Sequence, residues 1–166
     1  NTKERFSRDA EGRLLAHTDG LNRCTTWTYT AAGLVDERVD AAEQTLRYRW
    51  DRLGQLRALE NENHQQAKFN YDPVGRLLEE TGFDGRSTQY HYDESTGRLA
   101  STRDGQRVTH VEFDPTGRLT KRSARLNQTS QTETFAYDGN GNLIMACNAD
   151  SKLQWFHDPA GNLLRE

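Results

Sequence analysis

Aromatic and polar positions alternate along this chain in short, regularly placed runs. Tyr48-Arg49-Trp50, Phe69-Asn70-Tyr71, Tyr90-His91-Tyr92 and Phe135-Ala136-Tyr137 each set two aromatic rings on either side of one polar or small residue. A period of two puts both rings on one face of a strand and the residue between them on the other. A turn signal and then an aliphatic residue follow each run, so the pattern predicts hairpins. Helical periodicity is almost absent, and Val39–Leu46 is the one ambiguous stretch.

The turn signal has a fixed form, aromatic-Asp-x-x-Gly-Arg-Leu. It reads Tyr71-Asp72-Pro73-Val74-Gly75-Arg76-Leu77 and Phe113-Asp114-Pro115-Thr116-Gly117-Arg118-Leu119. With one inserted residue it reads Tyr92-Asp93-Glu94-Ser95-Thr96-Gly97-Arg98-Leu99. Trp50-Asp51 with Gly54, Tyr137-Asp138 with Gly141, and His157-Asp158 with Gly161 are looser copies. The first copy pairs Asp9 with Gly12 and Arg13 behind an arginine, Arg8, and the weakest, Tyr29 with Gly33, has lost its Asp. The eight motif glycines follow one another at steps of 21, 21, 21, 22, 20, 24 and 20 residues. A step of that length repeated along the whole chain marks one supersecondary unit in an array.

Asp-x-x-Gly has the composition of a type I turn closed by a left-handed glycine, the three-residue hairpin loop with a bulge. Proline is favoured at the second position of that turn, and Pro73, Pro115 and Pro159, the only prolines of the chain, all stand there. The motif is therefore expected to be a hairpin tip, with Asp72 facing Arg76 and Tyr71 facing Leu77, and likewise Asp114 with Arg118 and Phe113 with Leu119. Halfway between tips, Asp19-Gly20, Asp84-Gly85 and Asp104-Gly105 give a second turn signal, loosened to Asn61-Glu62-Asn63 and Ala149-Asp150-Ser151 elsewhere. Eight units then make roughly sixteen strands in an antiparallel meander. At ~4.8 Å per strand such a sheet is ~75 Å wide, and the twist of strands predicts that it curves or spirals. Tyr29, Trp50, Tyr71, Tyr92, Phe113 and Tyr137 are expected to form an aromatic row beside the motif leucines.

Composition fits a thin array. Only 33% of the 166 residues are hydrophobic and 28% are charged, which leaves too little apolar surface for a thick enzyme core. A local layer, each repeat packing on the next, needs far less. Net charge is -3 and no apolar run is long enough to span a bilayer as a helix. Acidic residues outnumber basic ones, so a nucleic-acid partner is not expected. Cys24 and Cys147 are too few and too far apart for a disulfide framework. Residues 1–166 read as a single repeat array, cut at both ends from something longer.

Tyr-Asp-x-x-Gly-Arg-Leu at about 21-residue steps resembles the YD repeats of the Rhs family, which includes bacterial polymorphic toxins, the B and C components of insecticidal toxin complexes, and teneurins. The resemblance implies an all-β fold of hairpin repeats in a sheet that spirals into a hollow shell around a C-terminal toxin. Implied partners are that toxin cargo, the neighbouring repeats and a secretion-system spike or adaptor, with delivery by a type VI machine or a toxin complex. The parent protein would be made in the bacterial cytoplasm and then secreted or delivered into a target cell in bacterial competition. The family's self-cleaving core segment has no match here. Asp158-Pro159-Ala160-Gly161 shares its DPxG letters but keeps the repeat register.

Catalytic, cofactor and metal sites are not expected. Asp138, Asn140 and Asn142 imitate the start of a calcium loop, but Leu143 stands where glycine is required and Ala149 where glutamate is. His17, His64, His91, His110 and His157 have no ligand spacing, and no nucleophile elbow or phosphate loop occurs. Asn127-Gln128-Thr129 is a formal glycosylation sequon. The Asp and Arg row is read as turn scaffolding with cross-strand ion pairs, against the alternative of a charged ligand surface. A non-enzymatic wall segment is the expected role, and a cell-surface module that stacks its aromatics on carbohydrate, or binds protein, is the alternative.

Overall fold

The computed structural model describes residues 3–166, and every regular element among them is a strand. Two compact units divide the chain, the first ending at Arg86 and the second running Ser87–Glu166. In the first unit β1 (Arg5–Arg8), β2 (Leu14–Thr18), β3 (Cys24–Tyr29), β4 (Val35–Val39), β5 (Thr45–Trp50), β6 (Leu56–Glu60), β7 (Gln66–Tyr71) and β8 (Leu77–Thr81) pair antiparallel in chain order. In the second, β9 (Ser87–Tyr92), β10 (Leu99–Asp104), β11 (Arg107–Phe113), β12 (Leu119–Leu126), β13 (Thr129–Tyr137), β14 (Leu143–Cys147) and β15 (Lys152–Gln154) do the same. A last hairpin joins β16 (Phe156–His157) to β17 (Leu163–Arg165). The strand count exceeds the expected sixteen because one strand breaks at Trp155, whose amide donates to the Ile144 carbonyl at 3.1 Å. Val39–Leu46 is not helical: it closes β4, turns at Asp40 and opens β5.

Turn chemistry fixes the register as expected at the motif tips. The Asp72 amide donates to the Arg76 carbonyl at 2.9 Å, the Gly75 amide to the Asp72 carbonyl at 3.0 Å, and Tyr71 pairs with Leu77. The intervening Asp-Gly signals also lie at turns, but these are of two kinds. In the first unit they repeat the tip geometry: Asp19, Asp40, Asn61 and Gly82 take the Asp slot, and Asn22, Glu43, His64 and Gly85 take the left-handed position. At the Asp19-Gly20 signal the positive φ falls on Asn22, at 60°, and not on Gly20. In the second unit the Asp104-Gly105 signal closes a two-residue loop made of Gly105 and Gln106, with Asp104 opposite Arg107. A matching two-residue loop at Asn127 and Gln128 joins Leu126 to Thr129.

Every motif hairpin carries one further irregularity. Tyr71 faces Leu77 but Asn70 faces Glu79, so Leu78 is an extra residue on the departing strand. Leu15, Asp36, Arg57, Ala100, Thr120, Ile144 and Leu164 stand in the same place in the other repeats. These are β-bulges, which add local right-handed twist and bend the strand that carries them. They also explain the odd 21-residue step, because two hairpins with matched arms would repeat at an even number.

Burial is shallow throughout. Among the described residues only Ala67, 6% exposed, and Ser101, 8% exposed, are buried. One face of the first unit holds Trp27, Tyr29, Leu46, Tyr48, Trp50, Leu59, Phe69 and Tyr71, which cross-strand pairing and the period of two bring together. Tyr48 and Trp50 lie with ring centroids 6.2 Å apart and planes within 8°. The opposite face is ionic: Arg47 sits 3.0 Å from Glu37 and 3.7 Å from Glu60. Apolar contact is thus made between adjacent strands, as a repeat array requires, with no distant core.

Candidate functional site

The motif residues meet in one row of hairpin tips within each unit. Each tip is built around its aspartate. In the first repeat Asp9 Oδ1 accepts the amides of Glu11 and Arg13 at 3.1 and 2.8 Å, while Oδ2 accepts Arg13 Nε at 2.6 Å. Asp72 with Arg76 and Asp114 with Arg118 repeat this bracket, each with a 2.6 Å ion pair. Where arginine is missing, Asn142 and Asn162 donate to Asp138 and Asp158 at 3.0 and 2.9 Å. At the tip that lacks Asp, Thr30 Oγ1 takes the Leu34 amide at 3.2 Å. Asp51 instead binds the amides of Leu53 and Gln55, and its nearest cation is Arg57, 3.9 Å away on the bulge.

The longer tip departs from the expected pairing. Asp93 Oδ1 is saturated by Ser95 and Thr96, through hydroxyl and amide of each, and Arg98 is not among its partners. The Asp93 amide still donates to the Arg98 carbonyl at 2.8 Å, but the inserted residue shifts the Arg98 guanidinium away from its own aspartate. It reaches the next repeat and donates to the carbonyls of Asp114 and Pro115 at 2.7 and 3.2 Å.

That reach is the general device of the row. At six junctions the residue after one motif glycine lies over the motif glycine of the following repeat: Arg13 over Gly33, Leu34 over Gly54, Gln55 over Gly75, Arg98 over Gly117, Arg118 over Gly141 and Asn142 over Gly161. Arg13 and Arg118 also stack on the rings of Tyr29 and Tyr137, 5.0 Å from each centroid. In return the motif aromatic reaches back. Tyr29 Oη donates to the Leu14 carbonyl at 2.8 Å, Trp50 Nε1 to Val35 at 2.7 Å and Tyr137 Oη to Leu119 at 2.9 Å. Those carbonyls sit beside the bulges, outside the ladder with the next strand, which starts at Ala16, Glu37 and Lys121. A donor on the aromatic ring closes a group that the bulge left open. Sequence reasoning placed the ring in a packing row and missed this role; the preference for Tyr and Trp over Phe in that slot was the available signal. Replacing Tyr29 by phenylalanine should cost about 1 kcal/mol and lower the thermal midpoint, whereas Tyr48→Leu leaves the Leu14 carbonyl bond untouched. An unchanged midpoint in the Phe variant would remove the hydroxyl from the account.

Electrostatics follow the brackets. Asp9 and Asp72 feel partial burial most, which raises their carboxyls, but bonds from Arg13 and Arg76 outweigh it and both end below the ordinary value. The Ser95 and Thr96 donors lower Asp93 to about 2. Thr116, then Arg118, hold Asp114 well below the carboxylate range, and Asn142 and Asn162 lower Asp138 and Asp158. These carboxylates are spent on their own turns. Among the described residues no group of three or more His, Cys, Asp or Glu could hold a metal ion, and Cys24 and Cys147 are free thiols. No described helix is long and apolar enough to cross a membrane.

Residues 8–38 and 71–109 match the RHS Repeat family. Those two segments carry RHS repeats. Over 84 residues it is 37% identical to Double-stranded DNA deaminase toxin A of Burkholderia cenocepacia strain H111, an overlap of 51% of this chain and 6% of that protein. Among solved structures, TcdB2-TccC3-Cdc42 shares the fold with a TM-score of 0.77 at 18% identity, covering 96% of this chain and 11% of that one. A Tc holotoxin pore of Photorhabdus luminescens does so with a TM-score of 0.69 at 18% identity, covering 97% and 9%. The chain thus spans a small part of each of these proteins, and the all-β hairpin array is the fold it shares with the solved ones.

Proposed function

We propose that this RHS-repeat chain is a wall segment of a shell that encloses a toxin carried by the same protein and shields it until delivery. One observation carries the reading: the motif's chemistry joins repeat to repeat. Asp brackets its own turn, Arg covers the next glycine, and Tyr or Trp caps the previous repeat's carbonyl. A wall needs lateral continuity of this kind and no reacting group. The motif residues therefore act as structural fasteners, and residues 1–166 act as one array. Deaminase chemistry, named for the Burkholderia relative, would belong to a part of such a protein other than its repeats. Delivery into a target cell, through a secretion spike or a toxin complex, follows from the same reading. The carbohydrate-stacking alternative is less favoured because Tyr29 and Tyr137 already carry an arginine on the ring face.

The test uses the whole parent protein. Its toxin segment should resist a protease dose that digests the isolated toxin, and deletion of the two repeats spanning residues 76–117 should abolish that resistance. Equal protection with and without the deletion would overturn the wall reading. Saturable binding of a sugar by the intact repeats would favour the alternative.

A further inference from the structure

The repeat between Gly117 and Gly141 is the longest of the chain, at 24 residues, and the extra length lies in β12 and β13. β13 pairs with β12 along Thr129–Thr134, but β14 joins it only from Thr134, opposite Cys147. Residues 129–133 therefore overhang β14 by five residues, about 17 Å at ~3.4 Å per residue. The β14–β15 turn, pinned by Asn148 through the amides of Asp150 and Ser151, closes the lower end of this step. Antiparallel pairs alternate in hydrogen bonding, and the pair that closes the two-residue loop, Leu126 with Thr129, is a bonded one. Ser130 and Thr132 consequently turn their amides and carbonyls outward, where no described strand meets them. The edge reads Thr-Ser-Gln-Thr-Glu and has neither the lysine nor the proline that commonly blunts an open strand.

Both faces beside this edge have a defined chemistry. On one, Arg103, Val108, Arg125 and Ser130 form a line across four strands. Neither arginine has a carboxylate partner among the described residues, and together with Gln106 and Asn127 they line a bay of about 480 Å³. A side chain paired with Ser130 would lie one small residue away from Arg125. On the other face a hollow of about 170 Å³ lies next to Glu133, with Phe135, Ala146 and Leu153 as its apolar wall.

We propose that the outer edge of β13 binds an extended acidic polypeptide strand by β-augmentation, antiparallel to Thr129–Glu133. Main-chain bonds to Ser130 and Thr132 would supply the affinity. Alternate side chains would supply the choice: carboxylates on the Arg103–Arg125 face, aliphatic groups on the Phe135 face.

The probe is a capped Val-Glu-Val-Glu-Val peptide added to the full chain, read by backbone amide exchange. At tenfold its dissociation constant it should slow exchange at Ser130 and Thr132 by about tenfold. Thr132→Pro, a change that an outward edge position tolerates, should abolish the effect, and Arg125→Glu should shift preference to the corresponding lysine peptide. No slowing at millimolar peptide, an equal effect from a peptide methylated at alternate amides, or protection that grows with protein concentration alone would each overturn the proposal. The last outcome would assign the edge to a second copy of the chain.

Discussion

Gly117→Val is expected to lower stability by about 3 kcal/mol, the upper range for a strained backbone position. Gly117 sits at φ +93°, and a side chain there would meet Arg98 at 3.3 Å. Two losses combine. The β-branched residue is forced into left-handed conformation, and Arg98 is pushed off the carbonyls of Asp114 and Pro115 that it bonds. For a chain of this length each kcal/mol shifts the thermal midpoint by roughly 2–4 °C, so a fall of about 6–12 °C should be seen by circular dichroism. Gly139 provides the control: it has no positive φ, and nothing lies within 4 Å of an added Cβ. Gly139→Ala should be neutral or slightly stabilising. Comparable losses in both variants would mean that the tip glycines serve only local turn entropy, with no contact between repeats.

Acid should unfold the array over a narrow range. Asp9, Asp19, Asp72, Asp93, Asp114, Asp138 and Asp158 all have carboxyls held below the ordinary aspartate value by the donors of their turns. A depressed carboxylate contributes stability that is fully present above its unfolded value and is lost as pH falls through its folded value. The window therefore opens near pH 4 and runs through about 2, where Asp93 takes up its proton, to lower pH still for Asp114. Because the seven turns lie along the whole chain, their losses fall together, and tryptophan fluorescence should report a steep transition. Asp72→Asn removes the charge but keeps an oxygen for the Val74 and Arg76 amides, so it should destabilise at pH 7 and reduce the steepness below pH 4. A chain equally stable at pH 7 and pH 2 would contradict the bracketing role of these aspartates.

The expected and observed structures agree most closely at the motif tips. Asp-x-x-Gly admits few backbone paths, and proline at Pro73, Pro115 and Pro159 narrows them further, so the register of Tyr71 with Leu77 could be read from letters alone. The intervening turns were harder. Asp19-Gly20 carries the strongest two-residue turn signal, yet the positive φ falls on Asn22, because the strands on either side continue the spacing set by the tips. Arg98 shows a similar limit. Its motif matches the others, but one inserted residue moves its guanidinium from its own turn to the next.

The chain's sequence alone determined an all-β hairpin array, its 21-residue step, the tip register and the RHS resemblance, since these rest on local φ preferences and a period of two that neighbouring residues enforce by themselves. Only the tertiary structure decided how repeats are fastened. The bulges at Leu15, Asp36 and Thr120 open carbonyls that Tyr29, Trp50 and Tyr137 of the next repeat close, and Arg crosses to a glycine about twenty residues away. The overhang of β13 likewise became visible only when β14 was placed beside it. Such features depend on what the adjoining strand leaves unpaired, and unpaired backbone is a property of the assembled sheet that no single repeat contains.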